Sequence, residues 1–130
     1  LNSYREMSKL GINYQDAPLF MPPYEYYNRT IAAWTQGLGL RGVNYTPGTL
    51  SNADYTTPDM GKSYRSSKEI YEHLLVMEKK EGLNGAILLV HFGTDPKRTD
   101  KFYDTYLNKL IQTLKRKGYQ FQTISEAVAK

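Results

Sequence analysis

Two short segments of this chain carry residues whose types and positions suit acid-base chemistry, and His91 is the clearer case. His91 ends the apolar run 86–90, whose length and lack of alternation predict a parallel strand covered on both faces. An imidazole at the carboxyl end of such a strand is well placed for proton transfer at the mouth of a site. A histidine that hydrogen-bonds a neighbouring loop fits this position equally well. His73 lies in the middle of a predicted helix and is interpreted as structural.

The second segment is Met21-Pro22-Pro23-Tyr24-Glu25, which follows one predicted strand and enters a predicted helix. The two prolines fix the backbone, and the N–H groups that follow are unpaired donors at a helix start. Such donors can stabilise a developing oxyanion. The same sequence also fits an ordinary strand terminator followed by a helix start.

A complete metal centre or a serine-hydrolase triad is not expected within this chain. The loop carboxylates Asp54, Asp59 and Asp95 include no adjacent pair, and the two histidines fall on different predicted elements. Metal sites on one helix or loop usually place their histidines three to five residues apart. The Gly-x-Ser-x-Gly turn of many serine hydrolases is also absent from the sequence.

Composition indicates one soluble domain and argues against several partner classes. The 130 residues carry a net charge of +4, and the basic residues are spread over predicted helix faces. The charge therefore gives little support for nucleic-acid binding. No apolar run approaches the roughly 20 residues of a membrane span, and the chain has no Cys. The twelve Tyr and one Trp suit interfaces and sugar rings, although a core and helix-surface role would account for most of them.

The hydrophobic periodicity predicts strands that alternate with helices. We expect helices over 1–10, 24–36, 67–81, 98–117 and from 124, strands over 18–21, 40–45, 86–90 and 119–123, and a long loop over 46–65. In the second helix, the predicted buried stripe is Tyr27, Ile31, Trp34 and Leu38. This order is typical of an α/β fold with a parallel sheet or barrel, in which functional groups follow the strands.

Three stretches together resemble the NodB-like polysaccharide deacetylases, carbohydrate esterase family 4. Phe20-Met21-Pro22-Pro23-Tyr24 is similar to the family's third motif, an Arg-x-Pro-Tyr type sequence, and Leu89-Val90-His91 is similar to its fifth motif, Leu-x-His. Asp54-Tyr55 is a looser counterpart of the fourth motif, an Asp-Trp pair. The resemblance covers roughly residues 16 to 125, and it implies that 1–130 is the C-terminal portion of a distorted (β/α) barrel of the glycoside hydrolase and deacetylase type.

The family removes acetyl groups from N-acetyl or O-acetyl sugars with a divalent metal, usually zinc. The resemblance implies that His91 is the acid, that Asp54 orients it, and that the backbone N–H of Tyr24 faces the oxyanion. It implies that Leu89 lines the acetyl pocket and that Tyr55 replaces the pocket Trp. It further implies that Pro23 lies beside the substrate, which would be an acetylated polysaccharide or a peptidoglycan-like glycan.

Departures from the family pattern shape these expectations. The two early metal-binding motifs are missing, so we expect a missing N-terminal part of the same domain to hold the metal and this chain alone to be inactive and metal-free. Met21 replaces the usual Arg, and without that cation the catalytic base would hold its proton more tightly. Glu25 replaces a common Gly; it is interpreted either as a contact to substrate or metal or as a carboxylate favoured by the helix dipole.

Three hypotheses about the function therefore remain. The first is a deacetylase fragment, for which the resemblance suggests a periplasmic or cell-surface bacterial location. The second is a non-catalytic carbohydrate-binding relative, favoured by Met21. The third is a general α/β interaction domain whose tyrosine-rich surface binds protein.

Overall fold

The computed structural model describes residues 2–128, and the chain divides after Asn44 into two compact units. The first unit contains helix α1 (Asn2–Ser8), strand β1 (Leu19–Phe20), helix α2 (Arg29–Gly37) and strand β2 (Arg41–Gly42). The second contains helices α3 (Ser67–Glu81), α4 (Phe102–Thr105), α5 (Leu107–Arg116) and α6 (Ile124–Val128). Short 3₁₀ helices cover Tyr14–Asp16, Pro23–Glu25, Ser51–Tyr55 and Pro58–Ser63. Among the described helices, none has the length and apolar character that crossing a bilayer requires.

The first unit holds a small parallel sheet in which α2 connects the two strands. Leu19 pairs with Arg41 and Phe20 pairs with Gly42. A side chain at position 42 would overlap the hydroxyl of Tyr27, so the tyrosine ring would have to move to make room for it. The predicted order of strand, helix and parallel strand is confirmed here, although each strand is two residues long.

Helix α2 begins at Arg29, five residues later than predicted. The side chain of Asn28 accepts a hydrogen bond from the Ile31 N–H at 2.8 Å, which is the usual bond of a helix N-cap. Upstream, Tyr24 and Glu25 both have left-handed backbone angles with φ of 55°, so a right-handed α-helix cannot extend back through them, and the segment forms only a short 3₁₀ turn. The predicted buried stripe is wrong, since Tyr27, Trp34 and Leu38 are exposed and Ile31 is only partly buried. Thr35 is the buried residue of this helix.

The second unit is built around a hydrophobic core between α3 and the α4–α5 pair. Helix α3 begins with the predicted capping box. The Ser66 side chain accepts a hydrogen bond from the Glu69 N–H, and the Glu69 carboxylate accepts one from the Ser66 N–H. The predicted buried residues Ile70 and Leu74 are fully buried. The remaining core side chains are Tyr71, Leu83, Phe102, Leu110 and Leu114.

The predicted helix over 98–117 is two shorter helices that begin four residues later. Arg98 is fully buried before the first turn, and the Asp100 carboxylate accepts a hydrogen bond from the Ser67 N–H at 2.7 Å. These tertiary bonds hold 98–101 out of a helical conformation. Helix α4 ends at Thr105, and Tyr106 joins it to α5.

The predicted strands over 86–90 and 119–123 are wrong, since neither segment forms part of a sheet among residues 2–128. Residues 86–90 are half-buried rather than covered on both faces. Ala86, Leu88 and Val90 pack against the core, whereas alternate backbone N–H groups bond to side chains instead of a neighbouring strand. The structure therefore supports the α/β class in a coarse form, as a helix-rich fold with one short parallel sheet.

Candidate functional site

The second unit brings Asp54 and His91 into direct contact. The Asp54 Oδ1 atom lies 2.6 Å from His91 Nδ1, and Oδ2 accepts the His91 backbone N–H at 2.7 Å. The Asp54 side chain is 1% exposed, whereas the His91 side chain is 34% exposed. One buried carboxylate thus fixes both the backbone and the ring of a histidine that solvent can reach.

This contact determines which nitrogen of His91 can act on a ligand. A carboxylate only accepts hydrogen bonds when it is ionised, so Nδ1 carries the proton that the pair shares. Nε2 has no hydrogen-bond partner within residues 2–128. The arrangement leaves Nε2 as the nitrogen that can give or take a proton at the surface.

Side chains of the long loop hold the backbone of 86–91 in place. The N–H groups of Ile87 and Leu89 donate to Thr46 Oγ1 at 2.9 Å and to Ser51 Oγ at 3.0 Å. The His91 N–H continues the series to Asp54, so every second N–H bonds to this loop. Such alternation is typical of an extended chain. Thr46 and Ser51 are supporting residues that the sequence analysis missed, although short polar side chains at 46, 51 and 54 were a visible signal.

Leu89 and Tyr55 lie beside His91. Leu88 and Val90 pack against the core, and Leu89 is not part of that cluster. Because side chains alternate along an extended chain, Leu89 and His91 share the other side. The Tyr55 ring meets the His91 ring edge-on, with 5.7 Å between centroids, and Tyr55 is half exposed. The 3₁₀ helix Ser51–Tyr55 therefore supplies Asp54, the predicted partner of the histidine, and Tyr55, predicted to replace the pocket Trp.

A buried arginine fastens the two loops that carry the pair. Arg98 Nη1 donates to the carbonyl oxygens of Thr56 at 2.5 Å and Arg65 at 3.0 Å, and Nη2 donates to Ser67 Oγ at 2.9 Å. Thr56 follows the segment that holds Asp54, and Arg98 belongs to the loop that follows His91. The guanidinium thus joins both loops to the start of α3. The sequence analysis did not single out Arg98, because nothing local distinguishes it from a surface arginine.

Asp100 completes this buried network. Its Oδ1 lies 3.7 Å from Arg98 Nε and accepts the Tyr64 hydroxyl at 3.1 Å. Burial and the nearby Asp100 charge raise the pKa of Tyr64. Tyr64 therefore stays protonated and continues to donate to the carboxylate.

An exposed ion pair also ties the long loop to the loop after His91. Lys97 Nζ lies 2.7 Å from Asp59 Oδ2, and Thr57 donates to the other Asp59 oxygen at 2.5 Å. The hydrogen bonds from Lys97 and Thr57 lower the pKa of Asp59 to about 2, and the Asp59 carboxylate in turn raises the pKa of Lys97. Both oxygens of the Asp59 carboxylate are therefore already bound, one by Lys97 and the other by Thr57.

The remaining predicted site residues share one turn of the first unit. Pro23, Tyr24 and Glu25 form a 3₁₀ helix, and the Glu25 carbonyl accepts a hydrogen bond from Asn44 Nδ2 at 3.0 Å. Tyr24 is 96% exposed and left-handed, a conformation that costs a non-glycine residue about 1 to 2 kcal/mol. No hydrogen bond engages the Tyr24 N–H within residues 2–128. A strained turn with a free donor is compatible with anion binding.

The described residues offer no metal site. Residues 2–128 contain no group of three His, Cys, Asp or Glu side chains that could hold an ion. His73 Nε2 lies 2.7 Å from the Gly48 carbonyl, in keeping with its interpretation as a structural residue. The zinc that the family resemblance implies therefore finds no ligand set among these residues.

The site in the second unit thus consists of Asp54 and His91, flanked by Tyr55 and Leu89 and supported by Thr46, Ser51 and Arg98. Sequence analysis identified the first four of these residues, and the structure added the three supports. Comparison of the chain with protein-family models, with curated proteins and with solved structures finds no match.

Proposed function

We propose that this chain supplies the proton-transfer part of a carbohydrate deacetylase, with His91 as the general acid. The observation that carries the proposal is the Asp54–His91 pair, whose buried carboxylate leaves Nε2 free for a ligand. The proposal includes the resemblance to NodB-like polysaccharide deacetylases and a position as the C-terminal part of a distorted (β/α) barrel.

The proposed step is the collapse of a tetrahedral adduct formed by water at the acetyl carbonyl. The bond from the acetyl carbon to the sugar nitrogen breaks, and its electron pair stays on the nitrogen. His91, as the imidazolium with a proton on each ring nitrogen, delivers its Nε2 proton to that nitrogen and becomes neutral, so the sugar leaves as an amine and acetate is released. An O-acetyl ester follows the same course with an alcohol as the leaving group.

Asp54 acts in this proposal by holding the ring and not by exchanging a proton. Its Oδ1 keeps the Nδ1 proton in place while Nε2 changes its protonation state. Its Oδ2 accepts the His91 backbone N–H, so the same carboxylate holds the ring and the backbone that carries it. Leu89 and Tyr55 are proposed to contact the acetyl group and the sugar.

The proposal assigns no metal ligand to the described residues and takes no step through a metal. The roles that the family resemblance implies for Pro23, Tyr24 and Glu25 stay predictions. The free Tyr24 N–H supports one of them, because an oxyanion needs an unoccupied donor.

A second candidate is a non-catalytic carbohydrate-binding relative of the same fold. Met21 favours it, since the related deacetylases place an arginine there. On this reading, Asp54 and His91 would bind sugar hydroxyl groups, and no acetyl bond would break.

Acetate release tests the proposed function. The full-length gene product that contains this chain is incubated with zinc and with two substrates, an N-acetylglucosamine oligosaccharide and an O-acetylated xylan. We expect enzymatically detected acetate from at least one, and the responsive substrate identifies amide or ester cleavage. Binding without acetate from either would favour the second candidate, and neither binding nor release would reject both.

A further inference from the structure

A chain of buried hydroxyl groups links the long loop to the segment that ends in His91. Thr49 and Ser51 are fully buried, and their hydroxyl oxygens lie 3.2 Å apart. Thr49 Oγ1 also donates to the Thr46 carbonyl oxygen at 2.9 Å, and Ser51 Oγ accepts the Leu89 N–H at 3.0 Å. The chain of hydrogen bonds therefore runs from Leu89 through both hydroxyls to the Thr46 backbone.

The chemistry of the partners fixes the direction of each hydrogen bond. A carbonyl oxygen only accepts, so the Thr49 hydroxyl gives its single proton to Thr46. Thr49 can then only accept from Ser51, and Ser51 in turn accepts the Leu89 N–H. Each hydroxyl donates once and accepts once. Removing the Thr49 hydroxyl would therefore leave the buried Ser51 proton without its acceptor, which is costly in a protein interior.

Ser51 connects this chain to both members of the proposed proton-transfer pair. It is the first residue of the 3₁₀ helix Ser51–Tyr55, which carries Asp54. Its other contact, Leu89, lies two residues before His91, whose N–H and ring both bond to Asp54. A displacement of Ser51 would therefore move the carboxylate and the ring relative to each other.

The backbone between the two hydroxyl residues has an uncommon conformation. Leu50 is left-handed with φ of 56°, which a residue with a side chain adopts rarely. Such a conformation persists only where the surrounding contacts hold it. The bond between Thr49 and Ser51 spans Leu50, so it is one of the contacts that hold this turn.

We propose that Thr49 is a positioning residue for the acid, although its hydroxyl bonds only to Thr46 and Ser51 among residues 2–128. Through Ser51, it sets the spacing between the helix that carries Asp54 and the segment that ends in His91. The consequence for acetate release rests on the proposed function. The consequence for the geometry of the pair does not.

Thr49→Val tests this inference, because valine keeps the branched shape and removes only the hydroxyl. We expect kcat for acetate release by the full-length protein to fall about tenfold with little change in KM, since a misplacement of roughly 1 Å can cost about 100-fold. Thr49→Ser keeps the hydroxyl and should recover most of the loss. Thr35→Val is the matched control, since it removes a buried threonine hydroxyl of the first unit that bonds the Ile31 carbonyl at 2.7 Å. It should leave kcat near the wild-type value.

A second measurement, on the chain itself, separates this inference from the proposed function. Hydrogen exchange of the Leu89 and His91 amides and nitrogen-15 NMR of the His91 ring need no acetate release. We expect Thr49→Val to speed the exchange of both amides about tenfold relative to the amides of α3. It should also raise the fraction of neutral His91 that carries its proton on Nε2. Thr49→Ser should reverse both changes.

Ser51→Ala breaks the chain at the next link and provides the test if circular dichroism shows that Thr49→Val does not fold. It should produce the same changes at His91, and adding Thr49→Val to it should produce little further change. Wild-type exchange rates and tautomer in a folded single variant would overturn the inference, as would an unchanged kcat of Thr49→Val in an active full-length protein. Altered NMR signals that Thr49→Ser restores would support the inference even if the wild-type protein releases no acetate.

Discussion

Replacing His91 with alanine should lower acetate release by the full-length protein by about 100- to 10,000-fold, the range that a positioned general acid contributes. The loss follows because no other histidine in the described chain has a carboxylate partner. It should appear mainly in kcat, since the ring donates its proton during bond cleavage. Bound metal, measured by mass spectrometry of the purified protein, should stay nearly unchanged.

His73→Ala is the matched control for this experiment. It removes the only other histidine, which bonds the Gly48 carbonyl from α3. Its activity should remain within a few fold of wild type, because only one partly exposed hydrogen bond is lost. Full activity in His91→Ala, or an equal loss in both variants, would remove His91 from the role of acid.

Replacing Arg98 with alanine should lower the free energy of unfolding by about 2 to 4 kcal/mol, because a fully buried side chain that donates three hydrogen bonds is lost. The substitution leaves the Thr56 and Arg65 carbonyls without their donors and leaves a cavity where a fully buried side chain stood. It also leaves Asp100 without its cation. Urea unfolding of the chain, followed by circular dichroism, measures the change.

Two further variants make this prediction specific. Arg116→Ala removes an exposed arginine that bonds Thr113 at 3.1 Å, and we expect a change below about 0.5 kcal/mol. Arg98→Lys keeps the charge but cannot reproduce the fork of donors, so it should recover only part of the loss. A change for Arg98→Ala no larger than that for Arg116→Ala would show that the network contributes little.

Local sequence signals predicted the parts of the fold that depend on neighbouring residues. The capping box at Ser66 and Glu69 set the start of α3, and the spacing of Ile70 and Leu74 identified its buried face. Gly82, with φ of 77°, ends that helix as expected. These features need no distant partner, so a short window of sequence contains them.

Errors arose where distant residues decide the local conformation. The run 86–90 has strand composition, but loop side chains from Thr46, Ser51 and Asp54 occupy its N–H groups. Arg98 delays the next helix because its guanidinium reaches carbonyls 42 and 33 residues upstream. Neither interaction has a periodicity or a short motif, so sequence analysis could not detect them.

Part of the candidate site could be predicted from the sequence. Asp54, Tyr55, Leu89 and His91 could be named because their segments resemble motifs of a known family, and the structure places all four in the second unit. Arg98, which bonds the loops around this pair, lies in no such motif. Its role depends on burial and on three long-range hydrogen bonds, which only coordinates provide.

The most direct test of the central claim is a nitrogen-15 NMR measurement of His91 in the chain and in Asp54→Asn. We expect neutral His91 in the wild type to hold its proton on Nδ1, facing the Asp54 carboxylate, with Nε2 unprotonated. Asp54→Asn, which weakens the acceptor, should shift the proton toward Nε2. A wild-type proton on Nε2, or the same tautomer mixture in both proteins, would contradict the proposed orientation of the acid.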